Sequence, residues 1–271
     1  MKKHFNYKSD KQLWRILISD SDKLVLENRN QETKEVFFQC FDLQSGTSVF
    51  LDLQLAEKNW IGIETIYKDI IYFHYYPQRD LPGHKEIIAF DLASQRILWH
   101  NKDLTFLFAD DDKIYAFQQG FEDRFFYTFD YLTGEQIEEL GSNYNLINSL
   151  RQKAEEKKNW SNYIYPEVEK ENESSYHQLI NDYTNKFQLV GEIEHAIYND
   201  VLLFSFHTKE KDQSMNNRFV ALKTATGDCL KDEIINYGVK SFLTDSFFIY
   251  KSFLFLLKGK NEIEVYDLLA K

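Results

Sequence analysis

A short strand–turn–strand segment recurs along this chain, and it constrains the fold more than any other feature. The segment is clearest at residues 87–100, where the apolar run IIAF leads into Asp91 and the run ILW follows a polar turn. An aspartate at the start of a turn can accept hydrogen bonds from the turn amides, and a glycine supplies the positive φ that closes it. The segment therefore predicts a β-hairpin.

Five copies of this segment can be aligned. Their first positions, two residues before the aspartate, are Cys40, Ala89, Thr128, Ala221 and Val265. The fourth copy has Lys223 in place of the aspartate, so its turn lacks the carboxylate acceptor. The glycines that close three of the turns are Gly46, Gly134 and Gly227. The second copy has Gln95 there, which requires either a different turn or a strained residue.

A second anchor, an aspartate that opens an apolar strand, precedes four copies by 16 to 21 residues. These aspartates are Asp22, Asp69, Asp112 and Asp200. Two anchors in a constant order indicate one repeated supersecondary unit rather than a chance similarity. The last copy is ambiguous, because its strands could follow Asp245 or be divided by a turn at Lys251 and Ser252.

The spacing between copies predicts the architecture. Successive first positions lie 49, 39, 93 and 44 residues apart. Periods of about 40–50 residues with about four strands each are typical of β-propellers, and the long gap fits one unit plus an insertion. We therefore expect an all-β chain in which residues 1–271 form a single β-propeller domain. About five four-stranded blades are expected, with six as the alternative.

The consensus order Ala-x-Asp-x-x-(Ser/Thr)-(Gly)-x-x-x-Trp resembles the repeat of quinoprotein-like and WD40-like bacterial β-propellers. Ala89, Asp91, Ser94 and Trp99 match it best, and Phe50 stands at the tryptophan position of the first copy. This motif builds blades, so the resemblance implies a fold and little about function. The length and repeat layout of the whole chain are also similar to a bacterial family, domain of unknown function 4905, which implies no activity.

Residues 142–187 depart from the repeat. Leu146, Leu150 and Ala154 follow helical spacing, and so does a second apolar set between Tyr176 and Phe187. A proline between the two sets excludes one continuous helix. We expect a helical insertion whose apolar faces pack on the propeller. The alternatives are a lid over the central opening or an arm that docks a partner.

The N-terminal segment is expected to complete the last blade. The chain extends only four residues beyond Asp267, so that blade lacks an outer strand. Residues 4–8 or 13–18 are available to supply it, and closure of the ring in this way would leave no sheet edge exposed.

Charge and composition exclude several classes of partner. The formal net charge is −11, with 43 acidic and 32 basic residues, and an acidic surface repels phosphate backbones. No apolar segment fits a membrane span or a secretory signal. We therefore expect a cytoplasmic monomer that binds neither nucleic acid nor membranes. Cys40 and Cys229 are expected to be buried, unpaired thiols.

The titratable residues form no recognisable catalytic or metal-binding motif. The seven histidines show no HxH or HExxH spacing, and the GxSxG, GxGxxG and GxxxxGK[ST] motifs are absent. A quinone cofactor would need a wider propeller with more repeats. We therefore expect no metal and no cofactor, and the sequence favours a non-catalytic scaffold that binds another protein or a small molecule.

Two groups of residues are candidates for the binding surface, because recognition is commonly carried by loops on a rigid scaffold. The candidates in the insertion are Tyr165, Glu167, Tyr176 and His177. The candidates at the end of a predicted strand are His74, Tyr76 and Arg79. The alternative function is a glycosidase-like hydrolase or a small-ligand binder with a central pocket. Its candidate carboxylates are Glu64, Glu192 and Glu194.

Overall fold

The computed structural model describes residues 1–77, 83–170, 175–210 and 214–270. Within these ranges the chain forms 22 β-strands and two α-helices, which confirms the all-β class. Arg79, one of the predicted binding residues, lies outside the described residues.

The elements of the first half of the chain are mostly short strands. In chain order they are β1 (Lys2–Lys8), β2 (Gln12–Ile18), β3 (Lys23–Arg29), β4 (Val36–Asp42), β5 (Ser48–Leu53), β6 (Ile61–Tyr67), β7 (Ile70–Tyr75), β8 (Lys85–Asp91), β9 (Arg96–Asn101), β10 (Thr105–Asp110), β11 (Lys113–Gln119), β12 (Arg124–Asp130), β13 (Gln136–Gly141) and α1 (Tyr144–Glu156).

The second half contains two very short strands, one helix and several longer strands. They are β14 (Tyr163–Ile164), β15 (Glu167–Val168), α2 (His177–Thr184), β16 (Leu189–Tyr198), β17 (Val201–Lys209), β18 (Met215–Lys223), β19 (Cys229–Val239), β20 (Phe247–Tyr250), β21 (Phe253–Lys258) and β22 (Glu262–Asp267).

The strands form five sheets of four or five strands each. Lys11–Lys158 form one compact unit, called the 11–158 unit below, and Met1–Asp10 with Asn159–Lys271 form the 159–271 unit. The 11–158 unit contains three four-stranded sheets, β2–β5, β6–β9 and β10–β13, each paired in chain order. The 159–271 unit contains two five-stranded sheets, ordered β15-β16-β17-β18-β19 and β1-β22-β21-β20-β14.

The cores lie on the apolar inner strands of each sheet. In the 11–158 unit, β3 and β7 are buried along nearly their whole length, as expected for strands covered on both faces. The rings of Phe38 and Phe73 lie 4.7 Å apart in one apolar cluster of this unit. In another cluster, Ile147 of α1 packs with Phe108 and Phe126, so the first helix buries its apolar face as predicted.

The hydrogen bonds of the repeated turn confirm the predicted hairpin. The carboxylates of Asp42, Asp91 and Asp130 accept from the amide three residues later at 2.8, 2.9 and 2.7 Å. Each closing residue then donates its amide to the carbonyl of the turn's first residue, including in the Lys223 copy. Gln95 adopts a φ of 56°, so the second copy keeps the same turn with a residue in the left-handed region.

The two anchors of the repeat are joined directly by hydrogen bonds. The amide of Leu43, which follows the turn aspartate, donates to the carbonyl of Asp22 at 2.9 Å, and the next three copies have the equivalent bond. In the last copy the amide of Leu268 donates to the carbonyl of Ser252 at 2.9 Å. Of the two alternatives for this copy, the strands are therefore divided by a turn at Lys251 and Ser252. This bond explains why the two anchors occur in a constant order.

The N-terminal strand completes the last sheet, as predicted. β1 pairs antiparallel with β22 from Lys2 opposite Asp267 to Lys8 opposite Glu262. Of the two candidate segments, only the first has this role, because Gln12–Ile18 forms β2 beside β3.

The insertion is less helical than predicted. Residues 142–187 contain α1 and α2, but β14 and β15 lie between them and extend two sheets to five strands. The residues around Pro166 are extended and pair with the edges of β20 and β16, which offer unpaired backbone groups. Ile180 of α2 is fully buried beside Phe204. Neither helix in the described ranges has the length and apolar character that a bilayer crossing requires.

The two cysteines differ in environment. Cys40 is buried in β4, and burial raises the pKa of its thiol to about 12. Cys229 is exposed at the start of β19, so the expectation of two buried thiols is wrong for this residue. A strand's first residue lies at the sheet margin, which explains the exposure of Cys229.

Candidate functional site

The 159–271 unit contains a cavity of about 280 Å³. Its walls combine polar and apolar side chains, among them Val168, Glu192, Glu194, Ser205, His207 and Phe242. Two of the three carboxylates that the sequence suggested for a pocket, Glu192 and Glu194, therefore line the same cavity.

An irregularity in β16 shapes this cavity. The pairing of β16 with β17 shifts register between Val190 and Glu194, so Glu192 leaves the regular ladder. Gly191 has a φ of +75°, and a Cβ at this position would lie 2.5 Å from the Phe242 ring. Only glycine allows both this backbone conformation and the close approach of the aromatic wall.

Burial controls the protonation of two side chains in the cavity. Burial raises the pKa of Glu194, although its carboxylate accepts from the Asp245 amide at 3.1 and 3.3 Å. Burial lowers the pKa of His207, whose Nε2 accepts from the Leu243 amide at 3.1 Å. The ring of His207 is therefore neutral with its proton on Nδ1. The cavity thus holds a carboxyl with a raised pKa and an imidazole whose Nε2 carries no proton.

The insertion forms one wall of the cavity. β15 pairs antiparallel with β16, which places Glu167 opposite His195 and Val168 opposite Glu194. Val168 lines the cavity, whereas its neighbour Glu167, which the sequence selected as a binding residue, points to the opposite face of the strand and is not part of the lining. The insertion and the carboxylates of β16, which the sequence treated as separate sites, meet here.

A buried carboxylate holds this wall in place. One oxygen of Glu169 lies 3.1 Å from Nδ1 of His177, and the other lies 3.1 Å from Nδ1 of His195. Asn181 contacts Nε2 of His177 at 2.8 Å, one turn along α2. His177, a predicted binding residue, thus links α2 to the insertion strand instead of facing the cavity.

The other predicted insertion residues occupy different environments. Tyr165 is half exposed, and its ring stacks with Tyr163 and Phe248 at centroid distances of 5.9 Å each. Tyr176 precedes α2 and packs against the apolar cluster around Phe204. None of the four predicted insertion residues therefore lines the cavity, although Glu167 is the chain neighbour of Val168, which does.

A second group of titratable side chains lies in the 11–158 unit. Glu64, His74 and His84 place three potential ligand atoms within 4.8 Å of one another. Oε1 of Glu64 is 2.6 Å from Nδ1 of His84 and 3.1 Å from Nδ1 of His74. The two imidazole rings are parallel, with centroids 3.6 Å apart and an interplanar angle of 7°. We call these three residues the Glu64 cluster.

Local irregularities of β6 and β8 aim these side chains at one another. The pairing of β6 with β7 shifts between Ile63 and Thr65, so Glu64 is the extra residue of a bulge. The pairing of β7 with β8 shifts between Phe73 and Tyr75, where His74 lies opposite two residues of β8, Glu86 and Ile87, so this bulge is in β8. Bulges re-aim side chains and are common beside functional sites.

Burial and the contacts with the two imidazoles act in opposite directions on Glu64. Burial favours its neutral form, but the contacts and charges of His74 and His84 outweigh it and lower the pKa of Glu64 to about 2. Burial also lowers the pKa of His74. The phenol of Tyr76 forms a T-shaped contact with each ring, at 4.7 and 5.4 Å. The predicted residues His74 and Tyr76 thus share one site.

Sequence reasoning missed His84 and did not connect Glu64 with His74. Glu64, His74 and His84 follow one another at intervals of ten residues. The first lies on β6, the second on β7, and the third in the segment that leads into β8. No local motif joins residues at this spacing, because antiparallel pairing and two bulges create the proximity. Glu64 therefore belongs to this cluster, whereas Glu192 and Glu194 line the cavity.

The comparison with protein families gives one match. Residues 18–99 match DUF4905, a domain of unknown function. The expected similarity to this family is confirmed over these residues, which include β3 to β8 and the Glu64 cluster. No curated protein matches the chain.

Similarity to solved structures extends over nearly the whole chain at low identity. The Dos1 propeller is 11% identical to this chain, with a TM-score of 0.41, and the alignment covers 99% of this chain and 96% of that propeller. The β-propeller domain of the Trilobed protease from Pyrococcus furiosus is 13% identical, with a TM-score of 0.34 and coverages of 97% and 70%. Quinohemoprotein alcohol dehydrogenase from Comamonas testosteroni is 12% identical, with a TM-score of 0.31. This chain spans only 44% of that enzyme's length.

Proposed function

We propose that this protein is a five-bladed β-propeller that acts as a non-catalytic binding module in the cytoplasm. Five sheets with hydrogen-bonded repeat anchors support the blade count, and the pairing of β1 with β22 supports closure by the N-terminal strand. An experimental structure with five sheets around one axis is the expected outcome. A sixth sheet, or an open arrangement, would contradict this assignment.

The binding site of this module is the cavity of the 159–271 unit. The observation that carries this proposal is the pairing of Val168 with Glu194, because it makes the insertion a wall of the cavity. A volume of about 280 Å³ is close to the lower end of the range for ligand pockets, about 300–1,000 Å³. The site therefore suits a small molecule.

The lining indicates the chemistry of the ligand. Glu192, Glu194 and Ser205 supply hydrogen-bond acceptors, and Val168 and Phe242 supply an apolar face. The chain carries a formal net charge of −11, which disfavours anions. We infer a small ligand that carries an amine or several hydroxyl groups next to an apolar surface.

The test is a ligand screen followed by variants of the cavity. Amino acids, polyamines, nucleosides and sugars are screened by ligand-observed NMR, and titration calorimetry measures the affinity of each hit. Glu192→Gln and Phe242→Ala are expected to weaken binding at least about 10-fold, since each lost contact costs about 1.4 kcal/mol or more. The matched controls are Glu139→Gln and Phe121→Ala, which change exposed residues outside the cavity. Equal affinities for all five proteins would exclude the cavity.

A hydrolase of the glycosidase type is the second candidate function. The observation in its favour is the carboxyl of Glu194, whose pKa is raised by burial and which shares the cavity with Glu192. A carboxyl with a raised pKa beside a second carboxylate is the arrangement that glycoside hydrolysis requires. Turnover of a panel of nitrophenyl glycosides that is lost in Glu194→Gln would support the enzyme. Absence of turnover in the unmodified protein would favour the binding module.

A further inference from the structure

We propose that Glu64, His74 and His84 bind a divalent transition-metal ion, with zinc as the best fit. Two imidazoles and one carboxylate form a ligand set that zinc accepts in proteins with three protein ligands. Three potential ligand atoms already lie within 4.8 Å of one another. Among the described residues, no other group of three His, Cys, Asp or Glu donors converges in this way.

His74 is the strongest individual indication of a ligand. Its side chain is 0% exposed, and neither ring nitrogen forms a hydrogen bond of good geometry with any described residue. Its Nδ1 lies 3.1 Å from Oε1 of Glu64, but in an unfavourable direction. A buried polar group without a partner costs about 1–3 kcal/mol, so such groups normally have a function or a ligand. A metal ion at Nδ1 would satisfy this nitrogen.

The backbone makes room for the His74 ring. Gly62 lies opposite His74 in the β6–β7 pairing. A Cβ at position 62 would lie 2.9 Å from both Cε1 and Nε2 of His74, closer than side-chain contacts allow. The glycine therefore permits the ring position that places Nδ1 within 3.1 Å of Oε1 of Glu64.

Small movements would complete the coordination geometry. Zinc bonds of about 2.0–2.2 Å in a tetrahedron place the donor atoms about 3.4 Å apart. The Glu64–His84 and Glu64–His74 distances of 2.6 and 3.1 Å must therefore widen by less than about 1 Å. The parallel rings must also splay, because a metal ion binds in the plane of an imidazole. His84 lies in the segment before β8, outside the ladder, so its ring can move without breaking strand pairing.

Charge and access are compatible with a cation. Arg29 does not neutralise the cluster, because its guanidinium is paired with the nearby Glu27, with 2.6 Å between a guanidinium nitrogen and Oε1. The carboxylate of Glu64 therefore gives the cluster a negative charge. The side chain of Glu64 is 14% exposed and that of His84 is 31% exposed, which provides a path from solvent. Three protein ligands leave one position for water or a small ligand, as at catalytic zinc sites.

A similar trio elsewhere in the chain provides a matched control. Glu169, His177 and His195 also join one carboxylate to two histidines, but each oxygen of Glu169 contacts a different ring. This arrangement is a clamp, in which the donors are spread rather than directed at one point. We expect no specific metal binding there.

The experiment measures metal stoichiometry and affinity in the full-length chain. The protein is treated with EDTA, dialysed, loaded with Zn²⁺ and analysed by mass spectrometry for bound metal and by titration calorimetry. We expect one Zn²⁺ per chain, and a visible absorption band when Co²⁺ replaces it. His84→Ala and Glu64→Gln are expected to weaken binding at least about 100-fold, because even loss of an outer-shell partner costs about 10–100-fold. His177→Ala should bind as the unmodified protein does.

Folding of each variant is verified by circular dichroism and melting temperature. Glu64→Gln keeps the size of the side chain, so it provides a test even where His84→Ala alters the segment before β8. Added Zn²⁺ should raise the melting temperature of the unmodified protein and of His177→Ala, but not that of Glu64→Gln. Equal binding by all four proteins, or no binding to the unmodified protein, would overturn the proposal.

Discussion

Gln95 is the only non-glycine residue at the closing position of the described turns in the first four copies of the repeat, and its φ of 56° is unfavourable for a residue with a Cβ. A left-handed conformation costs about 1–2 kcal/mol for such residues. The side chain recovers part of this cost, because its Nε2 donates to the carbonyl of Val49 at 3.2 Å.

We predict that Gln95→Gly raises the free energy of unfolding by up to about 1 kcal/mol, since relief of strain exceeds one exposed hydrogen bond. Chemical denaturation measures this difference. Gly134→Ala is the control for the opposite effect and should lower the stability. The backbone at position 134 has a φ of +71°, and an added Cβ would lie 2.6 Å from the Trp99 ring. A lower stability of Gln95→Gly would show that the Val49 contact outweighs the strain.

The candidate site was predictable at the residue level only in part. The sequence predicted His74 and Tyr76 from their place at a strand end; His74 belongs to the Glu64 cluster, and Tyr76 contacts its ring. His84 was not selected, because only the pairing of β6, β7 and β8 brings it to the other residues. The sequence predicted two cavity carboxylates, Glu192 and Glu194, from their expected strand position, whereas His207 has no local signal.

At the scale of elements, the hairpins were predictable and the bulges were not. The turns depend on aspartate and glycine at fixed positions, which a sequence shows directly. By contrast, β2, β6, β10 and β16 each have an irregularity, at Trp14, Glu64, Leu107 and residues 191–193 respectively. No common residue type marks these bulges, because they follow from the pairing of each strand with the next one in the chain. β14 and β15 were also not predictable, since each is only two residues long.

Ion pairs attach β1 to the last sheet. Glu264 of β22 lies 2.5 Å from Lys3 of β1 and 3.3 Å from Lys258, and it accepts from the phenol of Tyr266 at 2.8 Å. Burial favours the neutral form of Glu264, but these partners outweigh it and lower its pKa to about 2. The ionised form therefore stabilises the attachment of the N-terminal strand.

This environment predicts how stability changes with pH. The pKa of Glu264 is about 2 in the folded chain and about 4.3 in an unfolded one, so its contribution is complete above about pH 5 and is lost as the pH falls toward 2. Glu264→Gln should lower the free energy of unfolding by at most about 3 kcal/mol at neutral pH, with the difference vanishing near pH 2. Glu139→Gln, on exposed β13, is the control. A difference that does not change with pH would contradict this role.

At the scale of the whole chain, the sequence predicted the repeat because each copy must satisfy the same backbone groups. The same bond between the two anchors occurs in all five copies, whether the acceptor residue is aspartate or serine. The role of the insertion could not be predicted, since helical periodicity identifies α1 and α2 but not the strands between them. These strands make the insertion part of two sheets rather than an appendage.

This integration determines how the insertion can be tested as a docking surface for a protein partner. Deletion of residues 142–187 would remove β14 and β15 and uncover the clusters that contain Ile147 and Ile180, so we expect aggregation or loss of cooperative unfolding. The double variant Tyr165→Ala, Glu167→Lys changes only half-exposed and exposed side chains. It should keep the melting temperature within a few degrees and lose the partner in a pull-down from the native host. Trp14→Ala, an exposed aromatic outside the insertion, should retain the partner. Partner recovery by the double variant equal to that by Trp14→Ala would place the docking surface elsewhere.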